Sequence, residues 1–170
     1  MTKTIINFSL LFIVLVLAQA ILFNRLDIFG VAVPLVFIYW IIKLPVNMNL
    51  NWTLIFSFLL GLSVDIFSDT PGMNALSCTL IAGLRLPILR LYLPREDDLT
   101  NPIPSIRTLG LAVFAKYSFT ICLVYSALYY TIEAFTFFNA WRLVYSIIAS
   151  TITTFIVVSA LASLLNKERK

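Results

Sequence analysis

The sequence predicts an all-α polytopic membrane protein with six transmembrane helices and no soluble domain. Three observations predict it. The 170 residues are 61% hydrophobic and only 12% charged, with a mean hydropathy of +0.98, whereas a soluble domain is about half apolar and about a quarter charged. The apolar residues come in long blocks, and a transmembrane helix needs ~20 of them. The charges gather at the ends of those blocks, where water and lipid phosphates are close. A chain of this length then holds roughly five to seven spans.

The first block, 5–23, follows Lys3. Ala18-Gln19-Ala20 faintly resembles a signal cleavage site, but the block is too long for a signal-peptide core and is expected to remain as the first helix. A short loop, Asn24-Arg25-Leu26-Asp27, leads to the second block, 28–44. Pro34 lies near its start, where a missing amide is best tolerated. Tyr39, Trp40 and Lys43 close it, rings and a snorkelling lysine of the kind that mark a membrane interface. The third block, 52–67, is anchored by Trp52. The second and third blocks are short: ~16 residues rise ~24 Å. They are expected to be thin spans partly shielded by protein.

A turn over 68–72 follows, in which Asp69 and Thr70 are both placed to cap the next helix and Pro71 suits its first turn. The fourth block, 73–93, carries Arg85, Pro87 and Arg90 in its second half. Pro87 is expected to kink or end the helix, and the arginines are expected near water or phosphates. Residues 94–107, PREDDLTNPIPSIR, form the longest loop. The fifth block, 108–132, contains Lys116 and ends in Tyr125, Tyr129 and Tyr130, which read as an aromatic belt. An aromatic loop over 133–140 precedes the sixth block, 141–165, and a basic tail.

Positive residues orient the chain. With the N-terminus in the cytoplasm, the cytoplasmic ends hold Lys3, Lys43, Arg85, Arg90, Arg95, Arg107, Lys167, Arg169 and Lys170, against Arg25 and Arg142 outside. Both termini are then cytoplasmic, and Asp65 and Asp69 face outward with Asp27 and Glu133.

Composition also removes function classes. There is no histidine, so histidine-based catalysis is excluded. Cys78 and Cys122 both sit inside apolar blocks, which supports small core residues rather than a disulfide or a thiolate metal site. No phosphate-binding glycine loop and no metal-ligand cluster is present. The net charge of +4 suits membrane orientation rather than nucleic-acid binding. The expectation is therefore a non-enzyme with no catalytic residue, cofactor or metal. Two acids at a membrane turn, without a substrate domain, are poor evidence for a two-carboxylate hydrolase.

Few residues are left that need a chemical explanation. Asp65 and Asp69 are four apart and share a face on a continuing helix. They form either a polar site or partner contact at the outer mouth, or a solvated helix end. For Asp69 an exposed cap is the plainer reading. Asp65 adjoins Val64, Ile66 and Phe67, and an acid among such neighbours usually has a partner. Lys116 is nine residues into the fifth block, ~13 Å along a helix. It is a candidate for an intramembrane polar contact, with snorkelling to the interface as the plainer reading. Arg85 is a second candidate for such a contact, to Glu96, Asp97 and Asp98 or to phosphates, with a topology anchor preferred. Gly61 and Ser57 make a small-xxx-small pair suited to close helix packing.

A second span ending YWIIKLP, a polar turn, and a third span closing in GLSVDIFSDTPGMNAL together resemble MreD, the rod-shape-determining membrane protein family of bacteria. That family shows a glycine, then an aspartate, then a small loop with a second glycine, then an apolar helix. Gly61, Asp65 and Gly72 occupy those places. Size, six apolar blocks, a cytoplasmic N-terminus and a basic tail extend the resemblance over essentially the whole chain. The acidic loop over 94–107 and Pro71 before the second glycine depart from it.

The resemblance implies a non-enzymatic scaffold in the bacterial cytoplasmic membrane. Such a scaffold binds an MreC-like bitopic protein and works with the actin-like MreB, the polymerase RodA and its transpeptidase in peptidoglycan synthesis. Gly61, Asp65, Asp69 and Gly72 would shape its outer turn, with Lys116 a candidate buried partner. The resemblance also implies a fold similar to the S-components of energy-coupling-factor vitamin transporters. That supplies a rival: a substrate-binding subunit with an outer pocket lined by Asp65, Asp69, Glu133 and aromatic rings. A third reading, a lipid-handling protein, would show a lateral groove lined with basic residues.

Overall fold

The computed structural model describes residues 2–23, 34–93, 103–134 and 140–167, and every regular element among them is helical. Helix α1 (Thr2–Ala18) runs on into a π-helical turn, Gln19–Phe23. It is followed by α2 (Ile38–Lys43), α3 (Leu50–Ser68), α4 (Met73–Tyr92), α5 (Ile106–Leu109), α6 (Leu111–Glu133) and α7 (Ala140–Lys167). Among the described residues, four helices are long and apolar enough to cross a membrane: α3, α4, α6 and Trp141–Leu165 within α7. The loop 24–27, the start of the second block, residues 94–102 with Glu96, Asp97 and Asp98, the aromatic stretch 135–139 and the last three residues lie outside the described residues.

The third, fourth and sixth blocks become helices within two residues of the expected bounds. The fifth is split. Ser105 caps the short α5 through a reciprocal pair with Thr108, each side chain accepting the other's backbone N–H at 3.3 and 2.9 Å. Gly110, at φ +77°, then separates α5 from α6.

The second block differs from expectation. Over its described part it is not one helix. Pro34 and Leu35 are irregular, Val36 and Phe37 form a turn, and only the six residues of α2 are helical. Six residues rise ~9 Å, far short of a ~30 Å hydrocarbon core. Yet Leu35 to Ile42 are all buried, none more than 5% exposed. The run is apolar because protein surrounds it on every side. Tyr39 and Trp40, expected at an interface, belong to this core, and Trp40 donates its indole N–H to the Phe8 carbonyl at 3.0 Å.

Irregular backbone at this depth is tolerated only when its polar groups find partners. Three helices supply them. Gln19, at the head of the π-turn, donates to the Pro34 carbonyl at 3.1 Å and accepts from the Val36 N–H at 2.9 Å. Thr154 of α7 accepts the Leu35 N–H at 3.0 Å. Arg85 of α4 donates to the carbonyls of Leu44 and Pro45, both at 2.6 Å, beyond the C-terminal end of α2. Arg85 is thus buried, at 1% exposure, and does not reach toward water or phosphates as expected. A cation is favourable at a helix C-terminus, where carbonyls lack intrahelical partners.

Removing that donor strands the Leu44 carbonyl, at roughly 1–3 kcal/mol for a buried group left unpaired, and leaves the Pro45 carbonyl only the Met48 N–H at 3.4 Å. Arg85→Met is therefore expected to lower the melting temperature of the detergent-solubilised protein clearly. Arg85→Lys should recover only part of the loss, because a point ammonium replaces a planar fork. Equal melting curves for all three proteins would refute the clamp.

Pro87 does not end α4, which continues five residues further to Tyr92. Pro87 is exposed, while Arg85, Ile88 and Leu89 are buried on the opposite side. Packing of that face offsets the missing amide bond. Small residues line the helix contacts. Ser57 and Gly61 of α3 and Ser77 and Cys78 of α4 are all buried, and the two helices pack against each other. Ser146, Ser150, Thr154, Val158 and Ala162, spaced by four, form the buried face of α7. Such stripes let backbones approach where no hydrophobic effect drives helices together. Large apolar side chains such as Ile66, Leu91 and Ile156 point outward.

Candidate functional site

The site is the turn between α3 and α4. Helix α3 ends at Ser68, and Asp69 takes the left-handed conformation at φ +52°. The chain then reverses through Thr70, Pro71 and Gly72, with Gly72 at φ +83°. A Cβ added at Gly72 meets nothing within 4 Å, so the glycine serves the backbone conformation there, not the packing.

A helix N-terminus exposes N–H groups that need acceptors. The N-cap of α4 is Gly72, which has no side chain to offer. Asp65, from the preceding helix, takes that part. Its Oδ1 accepts the Asn74 N–H at 3.0 Å and its Oδ2 the Ala75 N–H at 2.9 Å. Oδ1 also accepts from the Thr70 hydroxyl at 2.9 Å and the Asn74 amide at 3.0 Å. Four donors and no acceptor fit a carboxylate, and a negative group at a helix N-terminus is favoured by the helix dipole. Asp65 is 4% exposed. Neither expected cap, Asp69 or Thr70, caps α4: Asp69 is exposed, and Thr70 serves Asp65 instead.

Gly61 explains how the carboxylate gets there. A Cβ at that position would overlap the Asn74 carbonyl oxygen and lie 2.5 Å from the Ala75 Cα and 2.6 Å from the Ala75 nitrogen. The two backbones touch at Gly61, one helical turn before Asp65. That approach carries the start of α4 within reach of a short aspartate side chain.

The polar chain continues inward. Asn74 accepts from the Tyr125 hydroxyl at 2.8 Å, and the Cys78 thiol lies 3.9 Å from the same oxygen. Tyr125 stacks on Tyr129 at 6.4 Å and meets the Phe37 ring edge-on at 5.7 Å. Tyr125, expected in an interfacial belt, is therefore a fully buried link between α6 and the turn. Asn74 and Tyr125 are the residues that sequence reasoning missed. The signal for Asn74 was its place two residues after the Pro-Gly breaker, where a helix begins.

Of two cavities, one adjoins this frame. A polar one of about 290 Å³ lies beside the turn, lined by Gln19, Leu35, Asp69, Thr70, Asn74 and Tyr129 among others. Asp65 and Glu133, expected to line an outer pocket, do not line it. An apolar groove of about 620 Å³ lies between α1, α2 and α3, walled by Phe8, Phe12, Trp40, Met48, Phe56 and neighbours. None of its described lining residues is basic, unlike the groove expected of a lipid-handling protein. Lys116 belongs to neither cavity and is exposed on α6, five residues after its first residue, ~8 Å along the helix. The structure thus brings Gly61, Asp65 and Gly72 together, leaves Asp69 at the rim, and puts Arg85 and Lys116 elsewhere.

Among the described residues, no three His, Cys, Asp or Glu side chains are placed to hold a metal ion. No family model matches the chain, and no curated protein and no solved structure matches it either.

Proposed function

We propose that the chain is a non-enzymatic, multi-pass scaffold of the bacterial cell-elongation complex. It would bind an MreC-like bitopic protein in the cytoplasmic membrane and support rod shape and peptidoglycan synthesis. The observation that carries this reading is the closure of Asp65 by four donors of its own chain. The three residues of the resemblance, Gly61, Asp65 and Gly72, are spent on shaping one rigid turn. A carboxylate so occupied is unavailable to a substrate, whereas a fixed helical hairpin is a surface that a partner helix or domain can dock on.

Six crossings with cytoplasmic termini belong to this proposal. Helix α1 with its π-turn would be the first. The second would be broken, with α2 as its cytoplasmic half. In support, Leu35 lines the same cavity as Asp69, while Leu44 is held by Arg85. Arg85 lies twelve residues beyond Met73 in α4, ~18 Å along that helix. The segment 34–45 therefore runs a good part of the bilayer depth, back toward the end where Lys43, Arg85 and Arg90 gather.

A pull-down in mild detergent from native membranes tests the reading. The expected result is co-recovery of an MreC-like bitopic protein, together with rounding of cells on depletion. Unchanged shape and wall synthesis after gene deletion would sink it. The rival, an S-component-like subunit of a vitamin transporter, is favoured by the cavity beside the turn. Its volume of about 290 Å³ is at the lower limit for ligand pockets, which span ≈ 300–1,000 Å³, and is small for a vitamin. Recovery of paired ATPases with a coupling subunit would decide for the rival.

A further inference from the structure

The cavity beside the α3–α4 turn has a chemical bias that can be read from its hydrogen bonds. Asn74 spends both amide hydrogens, on Asp65 and on Thr70 at 3.1 Å. Thr70 spends its hydroxyl hydrogen on Asp65. The first N–H groups of α4 are taken by the same carboxylate. The donors of Asn74, Thr70 and the first turn of α4 are therefore used up. Acceptors are not. The Asn74 oxygen receives one bond, from Tyr125, and an amide oxygen has two lone pairs. The Thr70 carbonyl receives one, from the Met73 N–H at 3.3 Å, and has the same spare capacity.

Charge points the same way. Asp69 lines the cavity at its exposed rim, and no lysine or arginine lines it among the described residues. The positive end of α4 is already offset by Asp65, so it does not turn the site toward anions. Tyr129 adds an aromatic ring to the wall, and a ring face attracts a cation. Room for a whole cofactor is lacking, but there is room for a small headgroup.

We propose that this cavity binds an ammonium or guanidinium group, held by the Asp69 carboxylate and the spare oxygens of Thr70 and Asn74 against the Tyr129 ring. The group belongs either to a small free amine or to a basic side chain of a partner protein. The site stands on the cavity alone and requires neither the scaffold nor the transporter reading.

The test uses the full chain purified in a non-ionic detergent. Ethylammonium and ethylguanidinium are titrated by calorimetry, with propionate and propanamide as anionic and neutral probes of similar size. Saturable binding of at least one cation, and not of propionate or propanamide, is expected. Asp69→Asn should weaken it by about tenfold or more, the loss of one charge-assisted contact. Its melting temperature should stay unchanged, because Asp69 is exposed and asparagine accepts the left-handed backbone. Absence of saturable cation binding, equal binding of propionate, or an Asp69→Asn protein that binds as well as the parent would each overturn the proposal.

Carbodiimide treatment of native membranes then assigns the source, with Asp69→Asn as control. An amide between Asp69 and a partner lysine identifies a protein side chain. A small mass added to the Asp69 peptide identifies a free amine. Cation binding without either product assigns the group to a guanidinium, which does not form the amide.

Discussion

Gly61→Ala is expected to disrupt the α3–α4 hairpin, although it adds one methyl group. The new Cβ would fall within 2.5–2.6 Å of the Ala75 Cα and nitrogen. Those are backbone atoms and cannot rotate away, so the helices must separate. Overpacking a tight core costs about 1–3 kcal/mol and occasionally more, and here separation also stretches the bonds from Asp65 to Asn74 and Ala75. The measurement is the melting temperature and the monodisperse fraction in detergent. Two comparisons sharpen it. Ala75→Gly should not rescue Gly61→Ala, since the overlap is with the Ala75 backbone and not its methyl. Gly72→Ala should be milder, because its cost is only that of a left-handed alanine, about 1–2 kcal/mol. A Gly61→Ala protein as stable as Gly72→Ala would show that the backbones do not meet at residue 61.

Asp65→Leu is expected to be at least as damaging. It fills space but leaves the Asn74 and Ala75 N–H groups, the Asn74 amide and the Thr70 hydroxyl without their acceptor. Each buried unpaired group costs roughly 1–3 kcal/mol, and some of the four will find water at the nearby cavity. A net loss of about 3–5 kcal/mol is a large part of the 5–15 kcal/mol that holds a typical domain together. Asp65→Asn should be intermediate: one amide oxygen can still accept from two of the four donors, but it brings two hydrogens of its own. Folded protein yield and melting temperature should follow the order Asp65, Asn, Leu. If Asp65→Leu melts like the parent, the carboxylate is not the cap of α4.

The two variants probe one device from its two sides. Gly61 sets the distance between the helices and Asp65 uses it. They are therefore expected to be non-additive, as contacting residues usually are. The double variant should lose clearly less than the sum of the single losses, because a separated hairpin no longer presents N–H groups to the aspartate.

Much of this was legible locally. The blocks at 52–67, 73–93 and 141–165 became α3, α4 and most of α7, because a long apolar run with charged or breaker ends has few alternatives to a helix. The place of Gly61, Asp65 and Gly72 at one turn was legible too. A Pro-Gly breaker, a carboxylate beside apolar residues and a small residue one turn earlier are signals contained in a dozen positions.

What the sequence by itself determined, then, is the all-helical class, the membrane-compatible outer surface and the place of the turn. Each follows from composition and from interactions between near neighbours. Only the tertiary structure decided which groups meet. The second block reads the same whether lipid or protein surrounds it, since both are apolar, and its burial showed a clamped short helix. Gln19 looked like part of a cleavage site and Arg85 like an interfacial anchor. Each is a buried side chain serving the backbone of that segment, more than a dozen positions away along the chain for Gln19 and about forty for Arg85. Tyr125 looked like a belt residue and proved to be the partner of Asn74, 51 positions earlier. Asp65 could be singled out as an acid in need of a partner. That its partners are the first amides of the next helix depends on a backbone approach at Gly61, and on where the turn aims α4, which no local pattern encodes.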